Sequence, residues 1–172
     1  VLRQTCTQLH PKSLYRHALF LSMVEVIPMI KLTNNDQMPA IMLSLYDGTD
    51  VSKDTLDNFI TNTLNEEKQP LFLFGANWCP DAQCLDAILR LPTFASYLNE
   101  HFAIMRIDVG EYNRNMSLME PLGLSSQEGI PRVIVLDLEG EPTNVETNDR
   151  WRSARQSDPQ DIFEYFQNLK RT

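Results

Sequence analysis

Cys79 and Cys84 stand five positions apart with Pro80, Asp81, Ala82 and Gln83 between them. A cysteine thiolate is a nucleophile toward disulfides, so its surroundings decide what it can do. Just before it runs Leu71-Phe72-Leu73-Phe74, four apolar residues between Pro70 and Gly75, which predicts a short strand buried on both faces. Pro80 fits the first position of a helix, where its missing N–H costs nothing and its φ is already helical. Cys79 is then placed at a helix N-terminus, where backbone N–H groups and the helix dipole favour an anion such as a thiolate. Trp78 shields one side. The plain alternative, that Cys79 is a small buried apolar residue, stays open at this level.

The second thiol does not complete a dithiol by spacing. On an ideal helix a five-residue step gives Cα atoms roughly 8–9 Å apart, while a disulfide spans at most about 7 Å. Cys84 therefore reads as a helix residue without a redox role, and at most as a secondary site residue. Asp81, two residues after Cys79, carries a charge that opposes thiolate formation, although a solvated carboxylate is screened. A metal site is not indicated, because His10, His17 and His101 show no ligand spacing relative to the cysteines. No phosphate loop, dinucleotide fingerprint or serine-centred nucleophile motif is present, and no cofactor is called for.

The elements that must position Cys79 can be read around it. Ile41 to Tyr46 reads as a strand and Asp47-Gly48 as a turn. A helix is predicted from about Ser52 to Glu67, capped by Ser52, with Val51 packing on Leu56 and an apolar face of Leu56, Phe59, Ile60, Thr63 and Leu64. The Cys79 helix buries Leu85, Ile88 and Leu89, and Pro92 breaks or kinks it. A second helical piece follows over Thr93 to Phe102, then a strand from Ala103 to Val109. Asn113 to Leu122 looks helical, stopped by Gly123. Gly129-Ile130-Pro131 leads into the strand Val133 to Leu136, and Glu139-Gly140 turns the chain. A last helix opens at Asp158-Pro159 and faces Ile162, Phe163, Phe166 and Leu169 inward. Strands alternating with helices give an α/β layer structure around a central mixed sheet.

The residues Phe74, Ala76, Trp78 and Cys79, with Gly129-Ile130-Pro131 and the strand Ile104 to Asp108 ahead of it, resemble the thioredoxin family. The likeness is to bacterial thioredoxin-like proteins reading Gly-Ala-x-Trp-Cys-x-Asp-Cys, with Ile107-Asp108-Val109-Gly110 matching a further segment. It covers roughly Leu43 to the C-terminus. The position of the family's second active-site cysteine is held here by Ala82. The resemblance implies a thioredoxin-like fold, a cis Ile130-Pro131 bond opposite Cys79, and a substrate-binding surface of Trp78, Ile130 and Pro131. It also implies two missing parts of a proton relay: the buried acid is replaced by Leu73, and the neighbouring lysine by Ile104. Arg132 is then a cation near the thiolate or, as the simpler reading, a solvent-facing strand residue.

Length and charge set the frame. The chain has 172 residues, enough for one domain with a substantial core. A net charge of −8 with no Lys/Arg run argues against a nucleic-acid surface. No apolar run reaches the roughly 20 residues that span a bilayer. Residues 1–40 read as an N-terminal extension, and 41–172 as the thioredoxin-like domain. Lys12 and Arg16 ahead of the apolar run Ala18 to Ile30 suggest a degenerate targeting segment, interrupted by Glu25 and Pro28; a packed or disordered extension is the other reading. Cys6 stands alone there. The compartment stays open between cytoplasm and periplasm. Two functions follow. In the first, Cys79 alone carries out thiol-disulfide exchange on a protein or small disulfide, with an external thiol resolving the intermediate. In the second, the domain is a non-catalytic module that binds extended peptide.

Overall fold

The computed structural model describes residues 28–42 and 44–170. Cys6, His10, Lys12, Arg16, His17, Glu25 and the apolar run from 18 to 27 lie outside these residues. Helix α1 (Lys53–Asn65) starts at Ser52, whose hydroxyl accepts from the Thr55 amide. Strand β1 (Gln69–Gly75) follows, buried at every position. Helices α2 (Pro80–Leu89) and α3 (Pro92–His101) are separated by the break ahead of Pro92, and β2 (Phe102–Asp108) begins where α3 ends. After two 3-10 turns come β3 (Arg132–Val135), a 3-10 segment Arg150–Gln156, and α4 (Pro159–Lys170).

The sheet is mixed, in the order β2-β1-β3. β1 runs parallel to β2, with Leu73 opposite Arg106 and Gly75 opposite Asp108. It runs antiparallel to β3, with Phe74 opposite Arg132. Its central position explains the unbroken apolar run: both faces need covering. Leu71 and Leu73 join Val133 and Val135 in a core with α2, α3 and α4. Phe72 and Phe74 join Ile134, Leu56 of α1, Cys79 and Ala82 in a second core on the opposite face. Phe94 and Phe163 stack 4.5 Å apart between α3 and α4. Each such large side chain contributes about 1.5–3 kcal/mol by burial.

Residues 30–40 lie across the helices. The Ile30 backbone pairs with the Gln167 side chain, and the Leu32 amide donates to Gln160 Oε1. Asp36 then reaches the start of α3, accepting from the Thr93 amide at 2.7 Å and its hydroxyl at 2.8 Å.

Two expected elements are not as read. Among the described residues of Ile41 to Tyr46 no strand forms; the chain there is irregular. Ile41 and Met42 are exposed, and among the described residues of the stretch only Tyr46 is buried. Its backbone is held by the Asn77 side chain, which accepts from the Tyr46 amide and donates to its carbonyl, so no neighbouring strand is needed. The helix read over Asn113 to Leu122 is two 3-10 turns, Met116–Leu118 and Glu120–Leu122. Asn115 takes a left-handed φ of 51° and spends its side chain on Val51, Thr49 and Asp108. Pro121 then removes an amide that a continuous α-helix would use. Gly123 does end the stretch, at φ 77°.

Candidate functional site

Glycine is required at the end of β1. A Cβ on Gly75 would overlap the Tyr46 hydroxyl, so the phenol ring fills the space beside the strand. The chain then turns through Ala76, Asn77 and Trp78. Asn77 brackets Tyr46, and Gln83 of α2 donates back to the Asn77 carbonyl. Trp78 is anchored by its Nε1, which donates to Gly110 O at 2.8 Å, and by an edge contact with Tyr112. Its ring remains 46% exposed, so the anchored tryptophan still presents an apolar surface.

Cys79 occupies the N-cap position of α2 with Pro80 behind it, and no side chain caps the helix. It is 6% exposed. Its Sγ faces Ile130 O at 3.7 Å. The Ile130-Pro131 peptide bond is cis. Cys79, Trp78 and Ile130-Pro131 are therefore brought to one end of the sheet, from the β1–α2 turn and the approach to β3.

The secondary residues divide. Cys84 lies half-buried against the core of α2, α3 and α4, while Cys79 belongs to the core on the other face. Both are free thiols. Burial pushes the Cys84 thiol up, Asp81 adds to this, and Arg155 opposes it. Asp81 is not the solvated acid expected from sequence. Its carboxylate accepts from the Arg155 amide at 3.0 Å and from Arg155 Nη2 at 3.1 Å. The side-chain hydrogen bond and charge of Asp81 raise the Arg155 pKa. A guanidinium thus offsets the charge that was expected to oppose the thiolate.

Arg132 also departs from the solvent-facing reading. It is buried and donates to the carbonyls of Gly129, Gln127 and Glu128 and to Asn148 Oδ1. Burial lowers its pKa; Asp149 opposes and Arg152 reinforces that shift. Its role is to hold the loop that delivers Ile130. Among the described residues no group of side chains could hold a metal ion, and no helix is long and apolar enough to cross a membrane.

Other residues that hold these elements in place were missed from sequence. Asp86 is buried in α2 between Arg90, at 2.8 Å, and Arg106, at 2.5 Å. This ion cluster shares the face of β1 that carries Leu73, because Arg106 is the register partner of Leu73. The signal was available: an acid beside Leu85 on the apolar stripe, with an arginine four residues on. Tyr46 gave none, since its burial depends on the distant Asn77. Asn144 pins β3 by accepting from the Val135 amide and donating to Val133 O and the Tyr165 hydroxyl; its sequence context reads only as a turn.

No protein-family model matches the chain, and no curated protein matches it. Among solved structures, it is similar to a disulphide isomerase from Xylella fastidiosa Temecula1, with 29% identity over 73% of this chain and 95% of that one, at a TM-score of 0.65. The C-terminal domain of DsbD from Neisseria meningitidis also matches in its oxidised and reduced forms, at 21% and 23% identity. Each match covers 62% of this chain and 98% of that domain, with TM-scores of 0.41 and 0.42. The mixed sheet, the flanking helices and the similarity to the isomerase together establish that the chain has a thioredoxin-like fold.

Proposed function

We propose that the protein carries out thiol-disulfide exchange through Cys79 alone. The observation that carries this reading is the position of the Cys79 sulfur. It sits at the uncapped start of α2, 3.7 Å from the Ile130 carbonyl and beside the exposed Trp78. An extended substrate lying along Ile130 would bring its disulfide to that sulfur. Similarity to a disulphide isomerase supports the same class of chemistry.

In the forward step the Cys79 thiolate attacks one sulfur of a substrate disulfide. The S–S bond breaks, a mixed disulfide forms on Cys79, and the departing thiolate takes a proton from solvent. Ala82 stands where a second active-site thiol would be, and Cys84 faces the other core. An external thiolate therefore attacks the substrate-derived sulfur of the mixed disulfide, expels the Cys79 thiolate and carries the substrate half away in a new disulfide. Trp78, Ile130 and Pro131 bind the substrate, Arg132 positions their loop, and Asp81 paired with Arg155 sets the charge at the helix start.

The test is turnover of bis(2-hydroxyethyl) disulfide by an external thiol. Cys79→Ala should bring the rate to the uncatalysed background, while Cys84→Ser should retain the wild-type rate. Equal losses in both variants would replace the single-thiol scheme by a two-cysteine one. Absence of turnover in the folded wild type would leave the peptide-binding module as the better reading.

A further inference from the structure

The surroundings of Cys79 run against the sign of the chain. The protein carries a net charge of −8, yet Arg132, Arg150, Arg152 and Arg155 gather on β3 and the 3-10 segment beside the site. Three of them are committed. Arg132 bonds the loop carbonyls, Arg155 holds Asp81, and Arg150 lies 5.1 Å over the Trp151 ring.

Arg152 is different. Its guanidinium rests against Gly129, where φ is +108° and a Cβ would overlap Cζ and Nη2. Gly129 precedes Ile130, whose carbonyl meets the Cys79 sulfur. Arg152 therefore packs against the residue that precedes Ile130 in the loop facing Cys79. Its side chain is 48% exposed, and the ion pair available to it, with Asp149, is long at 3.6 Å. Among the described residues its side-chain donors make no hydrogen bond, so its fork of N–H groups stays available to a carboxylate.

We propose that Arg152 selects disulfides that carry a carboxylate on a short arm from the sulfur, the chemistry of a small carboxylated thiol such as glutathione in its oxidised form, whose glycine carboxylate ends such an arm. This rests on the exchange reading of Cys79 and names its substrate class. The carboxylate pairs with Arg152 while the sulfur at the other end of the arm lies over Cys79. Attack breaks the substrate S–S bond, leaves one half bonded to Cys79, and releases the other half as a thiolate that is protonated by solvent. A second molecule of the same thiol, in its reduced form, restores Cys79 and leaves as the disulfide. Gly129 is what allows the arrangement, since any side chain there would displace the guanidinium.

Two probes separate this claim from the exchange reading. Alkylation of Cys79 by iodoacetate and by iodoacetamide differs only in the charge of the reagent and needs no turnover. At low ionic strength the iodoacetate-to-iodoacetamide rate ratio should fall about fivefold in Arg152→Gln, the size an exposed ion pair supports, and should be largely kept in Arg152→Lys. Raising salt to about 0.5 M should shrink the wild-type ratio toward that of Arg152→Gln, because the screening length drops below the reach of the charge. For turnover, the ratio of kcat/KM for glutathione disulfide over bis(2-hydroxyethyl) disulfide should fall by a similar factor in Arg152→Gln, through KM. Equal alkylation ratios in wild type and Arg152→Gln would overturn the proposal. If Arg152→Gln does not fold, a salt-independent ratio in the wild type does so equally. Turnover lacking with both disulfides while the alkylation ratio still shifts would sink the exchange reading and keep the charge assignment.

Discussion

Helices α2 and α3 begin alike and are completed differently. Each has proline in its first turn, and each has an N-cap residue, Cys79 or Leu91, that makes no side-chain cap. At α3 the gap is filled from elsewhere in the chain: the Asp36 carboxylate accepts from both the amide and the hydroxyl of Thr93. Burial raises the pKa of this carboxyl, but the Thr93 and Thr33 donors outweigh it and hold it down at about 2. At α2 the acid of the first turn, Asp81, is drawn aside to Arg155 instead. What remains at the α2 start is the Cys79 sulfur, which makes no cap and faces the Ile130 carbonyl. One helix start is completed by a distant carboxylate, and the other carries the cysteine of the proposed exchange. The second arrangement requires that α2 be anchored elsewhere, and Asp86, between Arg90 and Arg106, supplies that anchor.

The sharpest way to break this contrast is to complete α2 as well. Cys79→Ser places a hydroxyl at the N-cap, where it can accept a helix amide. Disulfide exchange should fall to background, while stability should hold or rise by about 0.5–1 kcal/mol, as for other hydroxyl caps. A clear drop in melting temperature would show that the α2 start is not a site that lacks a cap. Next in size is Asp86→Asn. It leaves two partly buried guanidinium groups without their carboxylate and should destabilise by about 3 kcal/mol, read by urea denaturation; a change below about 1 kcal/mol would mean that apolar packing alone anchors α2.

Asp36→Ala acts at the other helix start and should be milder. Loss of its cap on Thr93 should lower stability by about 1 kcal/mol at pH 7, with no change in the alkylation rate of Cys79. The sign of its pH dependence follows from the depressed carboxyl. Its contribution is complete above the ordinary pKa of 3.8 and is lost as pH falls through about 2. Wild type and Asp36→Ala should therefore differ at pH 7 and converge near pH 2; a constant difference would assign the effect to packing. The smallest effect is expected for Asp81→Asn. It releases Arg155, the exposed partner of a half-covered pair, costing at most about 1 kcal/mol, and should speed iodoacetate alkylation of Cys79 about twofold through the freed cation. A slower reaction would mean that Asp81 is needed to hold Arg155 in place.

The sequence made the central features legible where local chemistry decided them. Leu71 to Phe74 could only be a doubly buried strand, and Pro80 and Pro159 marked helix starts because proline suits the first turn. The place of Cys79 at the start of α2 was legible for the same reason. What escaped depended on partners far along the chain. Ile41 to Tyr46 has the apolar content of a strand, but a strand exists only against a neighbour, and Tyr46 is instead held by Asn77. Arg132 follows a proline in a short strand and read as a surface residue, although three loop carbonyls were waiting for its guanidinium. Arg152 is invisible as a site residue until the left-handed Gly129 brings it against the Ile130 loop.

In the proposed exchange Cys79 reacts alone. The most direct test of this is mass spectrometry of the intact protein after incubation with glutathione disulfide, followed by peptide mapping. The expected product carries one glutathione, located on Cys79, removed by excess reduced thiol and absent in Cys79→Ser. A predominant species that has lost two hydrogens, with the bridge mapping to Cys79 and Cys84, would contradict it and require the first turn of α2 to unwind.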